Sequence, residues 1–205
     1  MSISRKIAPV IAVLFATSCV MDKESNTETS VDTTQTNASP SLERIVDEQL
    51  ASGINSNDIF LDFEFGMSRQ KLNNSVEKMV KQKKLKVIDG KIVYMLDLGE
   101  QRKEVLISPF YNENRLYELG LTISGADFQD VCDLYHERYA DHVEYASVDT
   151  TGETQAFYLI KGNKQIKISR GEEVKIFYTD LDMQRKLGIK EGEKKKSGSK
   201  SLNDL

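Results

Sequence analysis

A two-residue turn, Asp89-Gly90, set between runs in which apolar and polar residues alternate, decides much of how this chain can fold. Asp-Gly favours a tight antiparallel hairpin, because both residues tolerate positive φ. The run 84–88 precedes it. In the run 91–98 that follows, Ile92, Tyr94, Leu96 and Leu98 fall on one side of an extended chain. Two further runs, 104–111 and 115–123, are joined by Asn112-Glu113-Asn114, with Tyr117, Leu119, Leu121 and Ile123 on one side. Pro109 stands near the end of its run, where a missing backbone donor is tolerated. The pattern then returns over 142–148, 155–160, 164–169 and 174–181, with Gly162-Asn163 as a second hairpin signal. Consecutive hairpins of this kind dictate an antiparallel sheet.

Helical spacing appears between the strand runs. Pro40-Ser41 supplies a stop and an N-cap, after which Leu42, Ile45, Val46 and Leu50 share a face. Ile59, Leu61, Phe63 and Phe65 alternate with Asp62 and Glu64, which predicts a half-buried strand. Ser68 caps a helix with a Leu72, Val76, Met79, Val80 stripe, and lysines 81, 83 and 84 complement its C-terminal dipole end. Asp127 opens another, with Phe128, Val131, Cys132, Tyr135 and Tyr139 on one side. Strand, helix and a run of strands therefore occur twice. Runs of strands between isolated helices argue for α+β over alternating α/β. The expected fold is one broad antiparallel sheet with helices on one face, built from two similar β-α-β-β-β halves at 58–123 and 124–181 within a domain at 41–187.

The ends of the chain differ in composition. Arg5 and Lys6 precede an apolar run over 7–16, and Ala16-Thr17-Ser18 follows before Cys19. This is the layout of a secretory signal peptide over 1–18. The run is too short to span a bilayer, which takes about 20 residues. Residues 20–40 are rich in Ser, Thr, Asn, Asp and Glu. Such a segment buries too little to offset its ordering entropy, so 19–40 is expected to be a disordered tether with a reach of about 25 Å. The tail at 188–205 is expected to be loose as well. The net charge of −4 gives no electrostatic case for nucleic acid.

Phe15-Ala16-Thr17-Ser18-Cys19 resembles a bacterial lipobox, with Ala16 where the pattern has Leu. The resemblance implies lipid, including a palmitate-type acyl chain, on Cys19. Val20, in place of the Asp that retains lipoproteins at the inner membrane, implies the outer membrane of the cell envelope, facing the periplasm or the exterior. Ala16-x-Ser18 also suits an ordinary signal peptidase cutting at the same bond, which would leave a secreted protein. With Cys19 acylated, Cys132 has no disulfide partner. Phe65-Gly66-Met67-Ser68, leading from a strand into a capped helix and then a meander, looks like the small lipoproteins of outer-membrane assembly (the BamE type). The doubling resembles the β-lactamase inhibitor protein fold. Both families act by protein binding, which implies a non-catalytic module with an envelope protein as partner.

No catalytic motif competes with that expectation. His136 and His142 stand six apart, so on a helix their rings point in different directions, unlike the i, i+4 pair of a zincin. Neither a G-x-S-x-G elbow nor a phosphate-cradling glycine loop is present. No metal and no cofactor is expected. A small periplasmic or secreted enzyme with a site invisible in sequence is the alternative.

Apolar residues on the less favoured side of the strands are the candidate partner site. With Ile92, Tyr94, Tyr117, Leu119, Leu121, Tyr158, Ile166, Ile168, Val174, Ile176 and Tyr178 facing the helices, Val93, Met95, Leu106, Leu116, Phe157, Leu159 and Phe177 face away. Met95, Leu106, Phe157 and Phe177 are the expected anchors. The other reading of these residues is that the helix over 41–51 covers them.

Overall fold

The structure, a computed structural model, describes residues 40–188. The expected signal peptide, Cys19, the tether up to residue 39 and the tail from residue 189 lie outside the described residues.

Four helices form where caps and stripes coincide. Ser41 caps α1 (Leu42–Ala51), its hydroxyl accepting from the Arg44 N–H at 3.3 Å. Ser68 caps α2 (Arg69–Lys81) by accepting from the Lys71 N–H at 3.2 Å. Asp127 caps α3 (Phe128–Arg138), accepting from the N–H groups of Gln129 and Asp130 at 2.8 and 3.2 Å. Asp180 caps a short α4 (Leu181–Lys186), which the strand pattern over 174–181 does not announce.

The eight strands are β1 (Leu85–Ile88), β2 (Lys91–Leu98), β3 (Gln101–Asn112), β4 (Arg115–Ser124), β5 (Val143–Val148), β6 (Thr154–Lys161), β7 (Lys164–Ser169) and β8 (Glu173–Asp180). They form one sheet in the order β1-β2-β3-β4-β8-β7-β6-β5. Every neighbouring pair is antiparallel. Asp89 and Gly90 turn β1 into β2 with φ of 49° and 74°, as a type I′ turn requires. The two meanders meet at β4 and β8, where Leu119 faces Tyr178, Leu121 faces Ile176 and Ile123 faces Val174.

One side of this sheet is the main core. Leu72, Val76 and Met79 of α2 and Phe128, Val131, Cys132 and Tyr135 of α3 pack on Val105, Ile107, Leu119, Leu121, Ile123, Ile166, Ile168, Ile176 and Tyr178. Burying each aliphatic side chain of this kind stabilises by about 1.5–3 kcal/mol. The three tyrosine hydroxyls buried there satisfy one another: Tyr178 donates to Tyr135 at 2.9 Å, and Tyr139 lies 3.3 Å from Tyr178.

The helices do not all share that side. Ile45 of α1 and Leu181 of α4 join Ala156, Tyr158 and Ile160 in a second cluster on the reverse face, with Leu42, Val46 and Leu50 packed against it. β6 makes this possible because it is apolar on both sides: Phe157 and Leu159 point to the main core, Tyr158 and Ile160 to α1.

The expected strand over 59–65 is instead a tight hairpin-like strap. Asp58 bridges to Glu64, the Ile59 N–H donates to Phe63 at 3.0 Å, and the Phe63 N–H donates to Phe60 at 3.2 Å. Leu61 takes φ 55° at the tip. Folding back lets Ile59, Phe60, Phe63 and Phe65 all enter the main core, which an extended strand with two opposite faces could not do. The Phe65-Gly66-Met67-Ser68 segment therefore reaches α2 from a turn, not from a strand. It is tied to β4 by the Gly66 N–H on the Leu116 carbonyl and the Leu116 N–H on the Met67 carbonyl, both at 2.8 Å.

Candidate functional site

The reverse face over β2, β3, β4 and β8 carries apolar side chains that belong to neither hydrophobic cluster. Met95 on β2 stands opposite Glu104. Leu106 on β3 lies between Val93 and Thr122. Phe177 on β8 lies between Gly120 and Lys167. Met95, Leu106 and Phe177 are half-buried, whereas Val93 is buried. Three of the four expected anchors are thus brought onto one surface.

The fourth is not. Phe157 pairs with Ala146 and Ile168 and packs against the main core. Leu159 (0% exposed) and Leu116 (1%) are core residues as well. The reason in β6 is its two-sided apolarity, which leaves alternation without a preferred direction. The reason at Leu116 is a register shift: Phe110 pairs with Glu118, but Tyr111 pairs with Leu116. Skipping Tyr117 rotates Leu116 to the inner side, as a β-bulge does. Tyr158, assigned to the helix α2–α3 side by the alternation, faces α1 for the same reason as Phe157 faces inward.

One residue of the face was missed. Phe110 continues the Leu106, Ser108 alternation of β3 and shares the face with Glu118. Its ring lies 3.3 Å from where a Gly120 Cβ would be, and the Phe177 ring lies 3.2 Å from the same point. A glycine inside a strand marks such a close approach, and that was the available signal. Beside the aromatic pair, Glu118 is 3% exposed and accepts from the Thr179 hydroxyl at 2.9 Å. Glu104 and Lys175 are exposed at the rim. The result is an apolar strip with charged edges, with no converging reactive groups among the described residues.

Two other concavities carry polar side chains. A groove of about 340 Å³ is lined by Phe128, Cys132, His136, Glu144 and Phe157. His136 Nδ1 lies 2.5 Å from Glu144 Oε1, so an imidazole with a carboxylate behind it stands one helical turn from a thiol. Burial, with Asp133 adding to it, pushes the Cys132 thiol up to about 12, so it stays protonated. Among the described residues no hydrogen bond joins it to His136. A second cavity of about 500 Å³ is lined by Asp97, Glu100, Lys103, Asp127, Asp130 and Asp133. Among the described residues no group of three or more His, Cys, Asp and Glu side chains is placed to hold a metal ion. His136 and His142 are engaged separately, the latter with Asp141 at 2.8 Å.

Among the described residues no helix is long and apolar enough to cross a membrane. Comparison with known proteins returns no match: no family model, no curated protein and no solved structure matches the chain.

Proposed function

We propose that the chain is a cell-envelope lipoprotein, anchored by lipid on Cys19, whose domain is a non-catalytic protein-binding or envelope-accessory module. The observation that carries the binding reading is the reverse sheet face. Met95, Leu106, Phe110 and Phe177 lie side by side there, half-buried and outside both cores. Aromatic side chains concentrate interface energy, typically at more than about 2 kcal/mol for a central anchor. The enzyme alternative would place its chemistry in the Cys132–His136–Glu144 groove, and the protonated thiol weighs against it.

The domain, in this reading, is a doubled unit in which α2 with β1–β4 is repeated as α3 with β5–β8. The recurring element order and the β4–β8 seam support that description. The likeness to outer-membrane assembly lipoproteins and to β-lactamase inhibitor protein points to the same class of work.

The test is cross-linked pull-down from intact envelopes with the full chain and with Leu106→Ala and Phe177→Ala. The captured partner should be lost in both variants while the melting temperature moves by no more than about 4 °C, the shift that roughly 1 kcal/mol produces. Undiminished capture by both variants, or collapse of the fold, would remove the reverse face as the binding surface.

A further inference from the structure

The turn after α3 buries an imidazole in an unusual setting. The His142 side chain is 4% exposed. Its Nδ1 lies 2.8 Å from Asp141 Oδ1, and a carboxylate only accepts, so the ring proton is on Nδ1 and Nε2 is a bare lone pair. That Nε2 is buried and has no hydrogen-bonding partner among the described residues. The ring stands edge-on to Tyr139 at 5.0 Å, and Lys164 Nζ lies over the same Tyr139 ring at 5.4 Å.

The groups around His142 are also those that hold the segment joining α1 to the strap. Lys164 Nζ donates to the Asp58 carbonyl at 3.4 Å. The neighbouring Asn163 accepts from the Ser56 N–H at 2.7 Å and donates its own N–H to the Ile54 carbonyl at 3.3 Å. None of residues 53–58 is buried: the Phe65 N–H on the Asn57 carbonyl and the Asp58–Glu64 bridge tie the segment's end to the strap, and hydrogen bonds to the β6–β7 turn dock the rest. Residues 59–65, by contrast, are fixed by their side chains in the main core.

We propose that His142 is an acid-sensitive latch: when its Nε2 takes a proton, segment 53–58 undocks from the β6–β7 turn while the sheet stays intact. The charged groups facing the ring are Asp141 from its own turn, Lys161 from β6 and Lys164 from β7; the neutral ring of Tyr139, which caps the end of α3, packs against it, and Asp58 lies behind Lys164. Asp141 is already shared with Lys161. A proton on Nε2 therefore adds a buried N–H without an acceptor and a further cation beside two lysines. Lys164 is buried (5% exposed) and holds the Asp58 carbonyl through a long 3.4 Å hydrogen bond, so displacing its ammonium takes it from that carbonyl. The ladders of β5, β6 and β7 do not depend on that contact.

Burial, and Lys164 after it, hold the His142 pKa below the usual histidine value, against the opposing pull of Asp141. A folded pKa below the unfolded one means the unfolded or undocked state binds the proton more readily. The docked state is thus fully favoured above about pH 6.5 and loses ground as pH falls below it.

Amide exchange of the full chain between pH 8 and 5, corrected for intrinsic rates, tests this directly, together with the His142 ring titration by NMR. Protection at Ser56 and Asn163 should fall at least tenfold, with the ring titrating below about 6.5, while amides of β4 and β8 keep theirs. His142→Phe, which retains a ring against Tyr139, should make Ser56 protection independent of pH, and His136→Gln should leave the wild-type profile. Constant protection in the wild type, an equal fall in β4 and β8, or an equal fall in His142→Phe would overturn the latch. Should His142→Phe fail to fold, a wild-type ring titrating at or above about 6.5 would overturn it alone.

Discussion

At Gly162, in the β6–β7 turn, a Cβ would lie 2.1 Å from the Ile54 carbonyl oxygen and 2.7 Å from its carbon, at a φ of +57°. Backbone cannot give way as a flexible side chain does, so a methyl group here must push segment 53–58 off the turn. Gly162→Ala should cost about 2–3 kcal/mol through overpacking added to the left-handed strain. Gly90, at φ +74° with nothing within 4 Å of its Cβ position, carries only the strain. Gly90→Ala should cost about 1 kcal/mol. Urea midpoints of the two variants separate the effects, and equal losses would mean that the Ile54 contact contributes nothing. Neither the crowding at Gly162 nor the buried Nε2 of His142 could be read from sequence. The first depends on segment 53–58 returning to a turn more than a hundred residues later, and the second on Tyr139 and Lys164 meeting beside the ring; residue types alone encode neither proximity.

At the scale of elements, what was legible followed directly from local chemistry. The strands from β1 to β8 lie close to their alternating runs because hairpin residues such as Asp89-Gly90 fix where each run ends. Ser41, Ser68 and Asp127 mark helix starts because each places an acceptor over free backbone N–H groups. These caps differ in strength. Asp127 takes two N–H groups, one at 2.8 Å, whereas Ser41 takes one at 3.3 Å. Asp127→Ala should therefore cost about 1–2 kcal/mol, near the upper end for caps, and Ser41→Ala about 0.5 kcal/mol. Denaturant titration that ranks them the other way would mean that α1 is held by its cap more than by its packing. Where reading failed, local chemistry was ambiguous. β6 is apolar on both faces, so nothing in it says which face meets α2 and α3. The 59–65 run alternates well enough for a strand, yet Phe60 and Leu61 are apolar together, and it folds back to bury both sides. Of the candidate site, Met95, Leu106 and Phe177 were legible because each stands between inner-face residues of its strand: Tyr94 and Leu96 on β2, Val105 and Ile107 on β3, and Ile176 and Tyr178 on β8. Phe157 was misplaced with β6, and Phe110 was hidden by the proline before it.

For the whole molecule, the proposed lipoprotein reading raises the question of what would hold the chain at a membrane. Among the described residues no helix is long and apolar enough to span one. The net charge of −4 gives no general attraction to anionic lipid, which draws clustered Lys and Arg at about 1 kcal/mol each. In the proposed reading, the anchor on Cys19 would supply the attachment, at roughly 0.8 kcal/mol per buried methylene, with more than one acyl chain needed for stable residence. The anchor and the reverse face are separable in this scheme, one setting location and the other setting partner. Cys19→Ser should therefore move the full chain from the carbonate-washed membrane fraction to the soluble fraction and abolish incorporation of labelled palmitate. Phe177→Ala should leave both unchanged. A Cys19→Ser protein that stays with the washed membranes would mean that attachment runs through the domain or its partner, and the lipoprotein reading would fall while the binding face stood.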